Sequence, residues 1–135
     1  MVYIKECSIT SGRDSLQNIS DEINNAINES NVVNGVVVVE TTHSTCGILK
    51  ISKQGNEILE DITKEMRRLI PARINYKHQE SPENAAGHIK SSLFGTSVSL
   101  IVKDGKLLCN DKQDIYFADY DGPRVRKYTI LVYGG

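Results

Sequence analysis

Positions 84–95 have the composition of a functional site. A histidine, a lysine and two serines fall within five positions here, as His88, Lys90, Ser91 and Ser92. Imidazole binds borderline metals such as zinc, and an ammonium beside hydroxyls and free helix amides binds phosphate or carboxylate. The stretch therefore indicates metal or anion chemistry. A solvated helix face with serines near its end would have the same composition.

The chain contains three histidines, His43, His78 and His88. Three imidazoles and a water molecule form an open, catalytic type of zinc site. Each histidine lies in polar surroundings at the end of a predicted element, where a ligand can project without displacing the core. No local metal motif such as HExxH is present, so three ordinary surface imidazoles are the alternative. Cys46, three positions after His43, could be a ligand, a nucleophile or a small buried hydrophobe.

Charged residues near these histidines also have two interpretations. Arg124 and Arg126 alternate along a predicted strand and could contact an anion or a neighbouring subunit, or simply place charge on an exposed strand edge. Glu80 and Glu83 flank His78 and could serve as acid, base or hydrogen-bond partner of a metal-bound imidazole. A solvated loop explains the two glutamates equally well.

Size and composition limit the class of protein. A chain of 135 residues predicts one domain, 1–135, and a net charge of −1 lacks the broad basic surface of a duplex nucleic-acid binder. The three cysteines include no CxxC pair, which indicates reduced thiols. Neither a leader sequence nor an apolar run of about 20 residues is present. We therefore expect a cytoplasmic protein without nucleic-acid or membrane partners.

The spacing of apolar residues predicts two main helices and one short helix. The first helix is capped by Ser20 and ends before Asn34, and the second ends at Pro71. The short helix is capped by Asn84 and ends near Leu93, before a glycine. These three segments supply the helical part of the fold.

Alternating or β-branched runs predict the strands at 2–10, 35–40, 48–51, 98–102, 107–109, 115–120 and 124–133. The valine run 36–39 is typical of a strand buried on both faces. Asp104-Gly105 and Asp121-Gly122-Pro123 predict tight turns. The order of elements implies an α+β fold, with helices on one side of mostly antiparallel sheets.

Four motifs occur together in a recognisable order: Thr42-His43-Ser44-Thr45, Tyr76-Lys77-His78, positions 88–93, and Asp121-Gly122-Pro123-Arg124. In these motifs the chain resembles the YjbQ-like family of small bacterial and archaeal proteins over nearly its whole length. The resemblance implies a compact α+β domain of two packed, mostly antiparallel sheets, β-sandwich-like, that assembles as a homotrimer.

The resemblance also implies a site. In that family the matching histidines cluster in a pocket that looks like a metal site, and members have been linked to a weak thiamine-phosphate synthase activity. We therefore expect a divalent metal, zinc, on His43, His78 and His88; catalytic roles for His43, His88 and Lys90; and contacts from Ser91, Ser92 and Arg124 to a small phosphorylated substrate. A non-catalytic trimeric module that binds a metal or an anionic metabolite is the alternative.

Two segments depart from the family pattern. Family members usually carry Asn-Glu where this chain has Ile51-Ser52, and Trp-Gln-Gly where it has Lys112-Gln113-Asp114. The departures remove a glutamate and a tryptophan, which bear on catalysis more than on the fold.

Overall fold

The computed structural model describes residues 1–53, 55–78, 80–109 and 111–135. Within these ranges the chain forms eight strands and three helices. In chain order they are β1 Val2–Thr10, β2 Ser15–Asn18, α1 Ser20–Ser30, β3 Gly35–Glu40, β4 Cys46–Ser52, α2 Asn56–Leu69, α3 Pro82–Phe94, β5 Ser97–Lys103, β6 Lys106–Leu107, β7 Gln113–Asp119 and β8 Val125–Gly134.

The strands form two antiparallel sheets. The larger sheet has the order β1-β8-β3-β5-β6, and the smaller one has the order β2-β7-β4. The tight turn predicted at Asp104-Gly105 joins β5 to β6. The predicted α+β class with two antiparallel sheets is therefore confirmed. Strand β2 was not predicted from the sequence, because four residues are too few to show an alternating pattern.

The hydrophobic core is built from α1 and the strands of both sheets. Ile23, Ala26 and Ile27 of α1 are fully buried in one cluster with Val37 and Val39 of β3. Their helical spacing places these three side chains on one face of α1, which explains why this helix was predicted correctly as amphipathic. The two sheets are thus held in place by α1 as well as by each other.

Strand β3 is buried on one face only, so the prediction of burial on both faces is wrong. Val37 and Val39 have no exposed surface, whereas Val36 is 41% exposed. Side chains alternate along a strand, and the side of the larger sheet that Val36 faces is not covered by any described part of the chain. A run of valines therefore marked an uncovered apolar surface as well as the core.

We call this surface the outer sheet face, and the strand register defines its members. Val2 lies opposite Tyr133, Tyr133 opposite Val36, and Val36 opposite Ile101, so the four side chains form one apolar row across the sheet. Ile4, Leu131 and Val38 form the next row. Of the seven residues, Val2, Ile4, Val36, Ile101 and Tyr133 are exposed.

The ends of α1 differ from the prediction. Ser20 is the first residue of the helix and not its cap: its N–H donates to Asn18 Oδ1 at 2.9 Å, and its hydroxyl accepts from Ile115 N at 2.9 Å. The helix ends at Ser30 because Asn31 adopts the left-handed conformation, with φ of 61°. Asparagine tolerates that conformation, so α1 stops several residues before the predicted end.

Helix α3 is longer than predicted. Ser81 is its cap and accepts a hydrogen bond from Asn84 N at 3.0 Å, with Pro82 as the first helical residue. The structure thus corrects the prediction of Asn84 as the cap and of a short helix, whereas the predicted end at Gly95 is confirmed by a φ of 98° there. Placing the start earlier makes Asn84 a residue of the first helical turn.

Helix α2 is amphipathic, yet it has no fully buried residue. It lies against the β2 side of the molecule, where Leu59 and Thr63 of α2 line a groove with Leu16. Its bounds agree with the predicted end before Pro71. No helix of the described residues is long and apolar enough to cross a membrane.

Candidate functional site

A buried ion pair lies between the two sheets. Asp119 of β7 has no exposed surface, and Arg126 of β8 is 4% exposed. The guanidinium donates two hydrogen bonds to the carboxylate, from Nε to Oδ2 at 2.8 Å and from Nη2 to Oδ1 at 3.0 Å. The Asp119 carboxylate also accepts from the hydroxyl of Ser11 and from Asp121 N. Arg126 Nη2 donates to Thr45 Oγ1 at 3.0 Å, so both charged groups have several partners.

These contacts fix the charge of the pair. Burial would raise the pKa of Asp119, but the hydrogen bonds from Arg126, Ser11 and Asp121 outweigh it and hold the pKa below its usual value. The bond to Asp119 raises the pKa of Arg126. Arg126 is therefore an internal structural cation, which decides against all three sequence interpretations of this residue: contact with an anion, contact with a neighbouring subunit and charge on an exposed edge.

A chain of hydrogen bonds runs from the turn after β7 to His78. Asp121 Oδ2 accepts from Asn84 Nδ2 at 2.8 Å, and Asn84 Oδ1 lies 2.7 Å from His78 Nε2. A carboxylate only accepts, so the Asn84 amide must turn its nitrogen to Asp121 and its oxygen to His78. His78 Nε2 therefore carries the hydrogen, and its Nδ1 keeps a lone pair in the neutral ring.

His88 completes a pair of imidazoles. Its ring centroid lies 5.1 Å from that of His78, with the ring planes perpendicular. The two rings line a shallow cavity of about 450 Å³ with Tyr76, Ala85 and Ile89 among its walls. Two of the three predicted metal ligands are thus neighbours. The Asn84 side chain fixes the tautomer of His78, and metal-binding histidines usually have such a hydrogen-bond partner on the second ring nitrogen.

The third histidine is engaged elsewhere. His43 Nε2 accepts a hydrogen bond from Lys127 N at 3.0 Å, next to the point where Thr41 Oγ1 donates to Lys127 O. The imidazole thus continues the pairing of β3 with β8 beyond the end of the strand. Burial lowers the pKa of His43, and the nearby charge of Arg126 adds to this effect, which suits a neutral ring that accepts.

The described residues of one chain include no group of three or more His, Cys, Asp and Glu side chains placed to hold a metal ion. His78 and His88 supply two nitrogen donors, whereas the lone pair of His43 Nε2 is already used. A catalytic zinc site takes three protein ligands. The residues therefore fit a partial donor set that would need further ligands from water, substrate or a second subunit.

Lys90 faces a different cavity. This cavity, of about 550 Å³, is lined by Arg13, Asp14, Arg67, Pro71, Ala72, Glu83, Ala86, Lys90 and Tyr120. We call it the Lys90 cavity. Lys90 is only 5% exposed, and burial lowers its pKa, with Asp14 opposing that change. A smaller cavity of about 250 Å³ adjoins it at Asp121, Gly122 and Pro123.

The ammonium of Lys90 has few partners. Its Nζ lies 3.8 Å from Asp14 Oδ1, which is too long for a hydrogen bond, and 5.6 Å from the centre of the Tyr120 ring. No hydrogen bond joins Nζ to another described residue. Asp14 itself is held by Arg67, whose Nη2 and Nε lie 2.7 and 2.8 Å from Oδ2. An ammonium carries three donors, and those of Lys90 are left to groups that enter the cavity.

Helix geometry explains why His88 and Lys90 do not share a cavity. Residues two apart on a helix point about 200° from one another, so they lie on nearly opposite faces. Glu83, Ala86 and Lys90 follow one face to the Lys90 cavity, and Ala85 and His88 follow another to the imidazole pair. The dense composition of this stretch therefore supplies two separate sites.

The other predicted site residues lie outside the Lys90 cavity. Ser91 is buried within α3, and Ser92 is exposed with its hydroxyl donating to His88 O at 2.9 Å. Arg124 is exposed, with Nη2 3.5 Å from Asp121 Oδ2. Cys46 has no exposed surface, and burial, with the charge of Asp119, raises its pKa to about 12. Of its three interpretations, the small buried hydrophobe agrees with this environment.

Sequence reasoning missed several residues of both sites. Arg67 was not predicted to belong to a site, and Asn84 was predicted only as a helix cap. No sequence pattern marked Asp14 or Tyr120 as a site residue. Asp14 lies in a turn, with φ of 46°, and Tyr120 is the last residue before the Asp121 turn. Their roles depend on contacts between distant segments, which a single sequence does not reveal.

Comparison with known proteins agrees with this architecture. A family model described as UPF0047 protein YjbQ-like matches residues 5–135. A UPF0047 protein of Methanocaldococcus jannaschii is 39% identical over 125 residues, 93% of this chain and 89% of that protein. The structure of a YbjQ-like protein of unknown function from Sulfolobus solfataricus P2 matches 100% of this chain and 99% of its own, with 26% identity and a TM-score of 0.94.

A second solved structure is also similar. An uncharacterized conserved protein of the yjbq/upf0047 family from Clostridium acetobutylicum is 34% identical, with a TM-score of 0.91. The match covers 96% of this chain and 99% of that one. The likeness thus extends over both sheets and the helices that carry the two cavities.

We expect Asp119→Asn to lower the free energy of unfolding at pH 7 by about 3–5 kcal/mol, because it leaves Arg126 buried without its counter-charge. The folded-state pKa of Asp119 is depressed, so its stabilising contribution is present above about pH 4 and is lost as the pH falls. Urea unfolding between pH 7 and pH 3 measures both effects. Asp111→Asn at an exposed position is the control, and equal stability of the two variants would contradict the prediction.

Proposed function

The chain belongs to the YjbQ/UPF0047 family, and on that basis we propose that it binds a small phosphorylated metabolite in the Lys90 cavity. The observation that carries the proposal is the ammonium of Lys90, which ends a largely buried side chain and faces the cavity with no hydrogen bond to the described residues. A volume of about 550 Å³ is within the range of small-molecule sites. An anion there would give Lys90 the hydrogen bonds that the protein does not supply.

The charges around the Lys90 cavity favour an anion. Arg13, Arg67 and Lys90 place three positive charges on its walls, and Asp14 and Glu83 place two negative ones. Lysine and arginine side chains are the usual partners of phosphate, the first as a point charge and the second as a planar fork. The whole chain has a net charge of −1, so this local surplus is not a general property of the surface.

The proposal leaves two modes of action, enzyme and binding module. The reaction that the family resemblance suggests is thiamine-phosphate synthesis, in which a pyrimidine diphosphate joins a thiazole phosphate and releases pyrophosphate. Catalytic roles for His43, His88 and Lys90 belong to this version of the proposal. Turnover of thiamine precursors would identify an enzyme, and thermal stabilisation by the same compounds without turnover would identify a binding module.

A divalent metal, zinc, on the imidazole pair is the second candidate function. It is supported by the 5.1 Å contact of His78 with His88 and by the Asn84 amide, which leaves His78 Nδ1 free to bind. A bound zinc ion would polarise a phosphate or carbonyl oxygen. For His43 to join this set, its Nε2 would have to give up the amide of Lys127.

Assembly as a homotrimer is supported by the outer sheet face. Its exposed apolar side chains form one surface of roughly 500 Å², as large as the patches that mark interaction sites on soluble proteins. Stable interfaces bury about 800 Å² of each partner, so a flat sheet face of this size can form the centre of one. The occupant that we propose is a second copy of this chain, which packs a different part of its surface against this face, so that three copies close a ring.

We expect Lys90→Met to weaken phosphate binding by about tenfold or more, because a charge-assisted hydrogen bond to the anion is lost. The change keeps the length of the side chain and removes a buried charge, so the fold should persist. NMR titration with methyl phosphate measures the affinity. Lys50→Met, at an exposed position, is the matched control. Unchanged affinity in Lys90→Met would refute the proposed site.

Purification with added zinc tests the metal proposal. We expect about one zinc ion per wild-type chain by elemental analysis, and loss of that ion in His78→Ala and in His88→Ala. His43→Gln in the same series shows whether the third imidazole takes part. Zinc content that does not change in His88→Ala would contradict the assignment of the pair.

Ile4→Glu tests the assembly, because it places a charge among the exposed apolar side chains of the outer sheet face, on edge strand β1. We expect the wild-type particle to have about three times the 15.0 kDa mass of one chain by light scattering, and the variant to be a monomer. Ser8→Glu, on the same strand face but beyond the apolar rows, should leave the trimer intact. A wild-type monomer would disprove the trimer.

A further inference from the structure

Asp14 occupies a position in the Lys90 cavity that suits an anion. It lies in the turn between β1 and β2, and its two carboxylate oxygens face two different cations. Oδ2 lies 2.7 Å from Arg67 Nη2 and 2.8 Å from Arg67 Nε, and Oδ1 lies 3.8 Å from Lys90 Nζ. A carboxylate that bridges an arginine and a buried lysine makes the same contacts that a phosphate group would make.

We infer that Asp14 is a built-in competitor of the ligand: its carboxylate holds the place between Arg67 and Lys90 that the ligand's phosphate takes on binding. The inference rests on the proposed function of the Lys90 cavity and adds how that cavity selects its ligand. In the absence of ligand, Asp14 neutralises part of the charge of the two cations. On binding, it leaves them and the phosphate replaces it.

The charge balance favours this exchange. With Asp14 in place, Arg67 and Lys90 together with its carboxylate carry one surplus positive charge. Once Asp14 moves away, the two cations match the double negative charge of a phosphate monoester above its second pKa, near 6. The ligand class is therefore a phosphate monoester. A ligand with one carboxylate would only replace the single negative charge of Asp14 with another single negative charge.

The contacts that must break are either open to solvent on one side or long. The side chain of Arg67 is 56% exposed and that of Asp14 is 19% exposed, so water reaches this ion pair from the arginine side and screens part of its attraction. The separation of 3.8 Å between Lys90 and Asp14 is not a hydrogen bond. Helix α2, which carries Arg67, has no fully buried residue, so small movements of this arginine toward a ligand are not opposed by tight packing.

Asp14→Asn tests the inference. Asparagine adopts the left-handed conformation of position 14 as aspartate does, and its amide oxygen can still accept from Arg67, so the charge alone is removed. At pH 8, methyl phosphate is a dianion and dimethyl phosphate is a monoanion. If Asp14 must leave before either binds, the variant tightens both affinities by the same factor, about threefold to tenfold, in an NMR titration.

The other outcomes separate the two proposals. Weaker or unchanged binding in Asp14→Asn, while the wild type binds methyl phosphate through Lys90, overturns the competitor and leaves the proposed function intact. A much larger gain for the dianion than for the monoanion means that Asp14 stays beside the ligand and repels it, which also overturns the exchange. No binding to wild type, or binding that Lys90→Met does not weaken, overturns both.

Glu83→Gln is the matched control for this series. Glu83 lines the same cavity, but its carboxylate pairs with Arg13 at 3.4 Å and not with Lys90 or Arg67. Glu83→Gln removes one negative charge from the wall of the cavity, as Asp14→Asn does. Equal gains in the two variants would show a general charge effect and would overturn the specific role of Asp14.

Discussion

The buried ion pair between Asp119 and Arg126 is the interaction on which the arrangement of both candidate sites depends. Asp119 belongs to the three-stranded sheet and Arg126 to the five-stranded sheet, so the pair joins the two. Two charges away from water are tolerated only when their hydrogen bonds are complete. Completing them requires Ser11, Thr45 and the Asp121 turn, and these segments come from three separate loops.

Those loops in turn position α3. Gly87 lies against Thr45, and a Cβ added there would come within 3.3 Å of the threonine side chain, so the helix packs against the loop more closely than a residue with a side chain ordinarily does. Three residues earlier, Asn84 joins the same helix to Asp121. The helix is therefore fixed at two points to the partners of one ion pair. Its rotation, and with it the directions of His88 and Lys90, follows from these contacts.

The fold was largely predictable and the site only in part. Alternation along β1 and the Asp104-Gly105 turn are local signals, and local signals are what a single sequence contains. Burial of β3 was misjudged because four valines fit a two-sided core and an uncovered apolar face equally well. Lys90 was recognised by composition, whereas Asp14 depends on a contact with Arg67, 53 positions away, that no periodicity reveals. His78 and His88 are close in the sequence, but the contact between their rings depends on the irregular loop before α3, which has no periodicity to predict.

The separation of His88 and Lys90 limits the chemistry of a single chain. The imidazole pair and the Lys90 cavity lie on nearly opposite faces of α3, so a small ligand held by Lys90 does not reach His88 of the same chain. The proposed phosphate site and the proposed metal site are therefore separate places in one subunit. A reaction that used both sites on one small substrate would need the lysine from one copy and the histidine from another, so it would also require the chain to assemble.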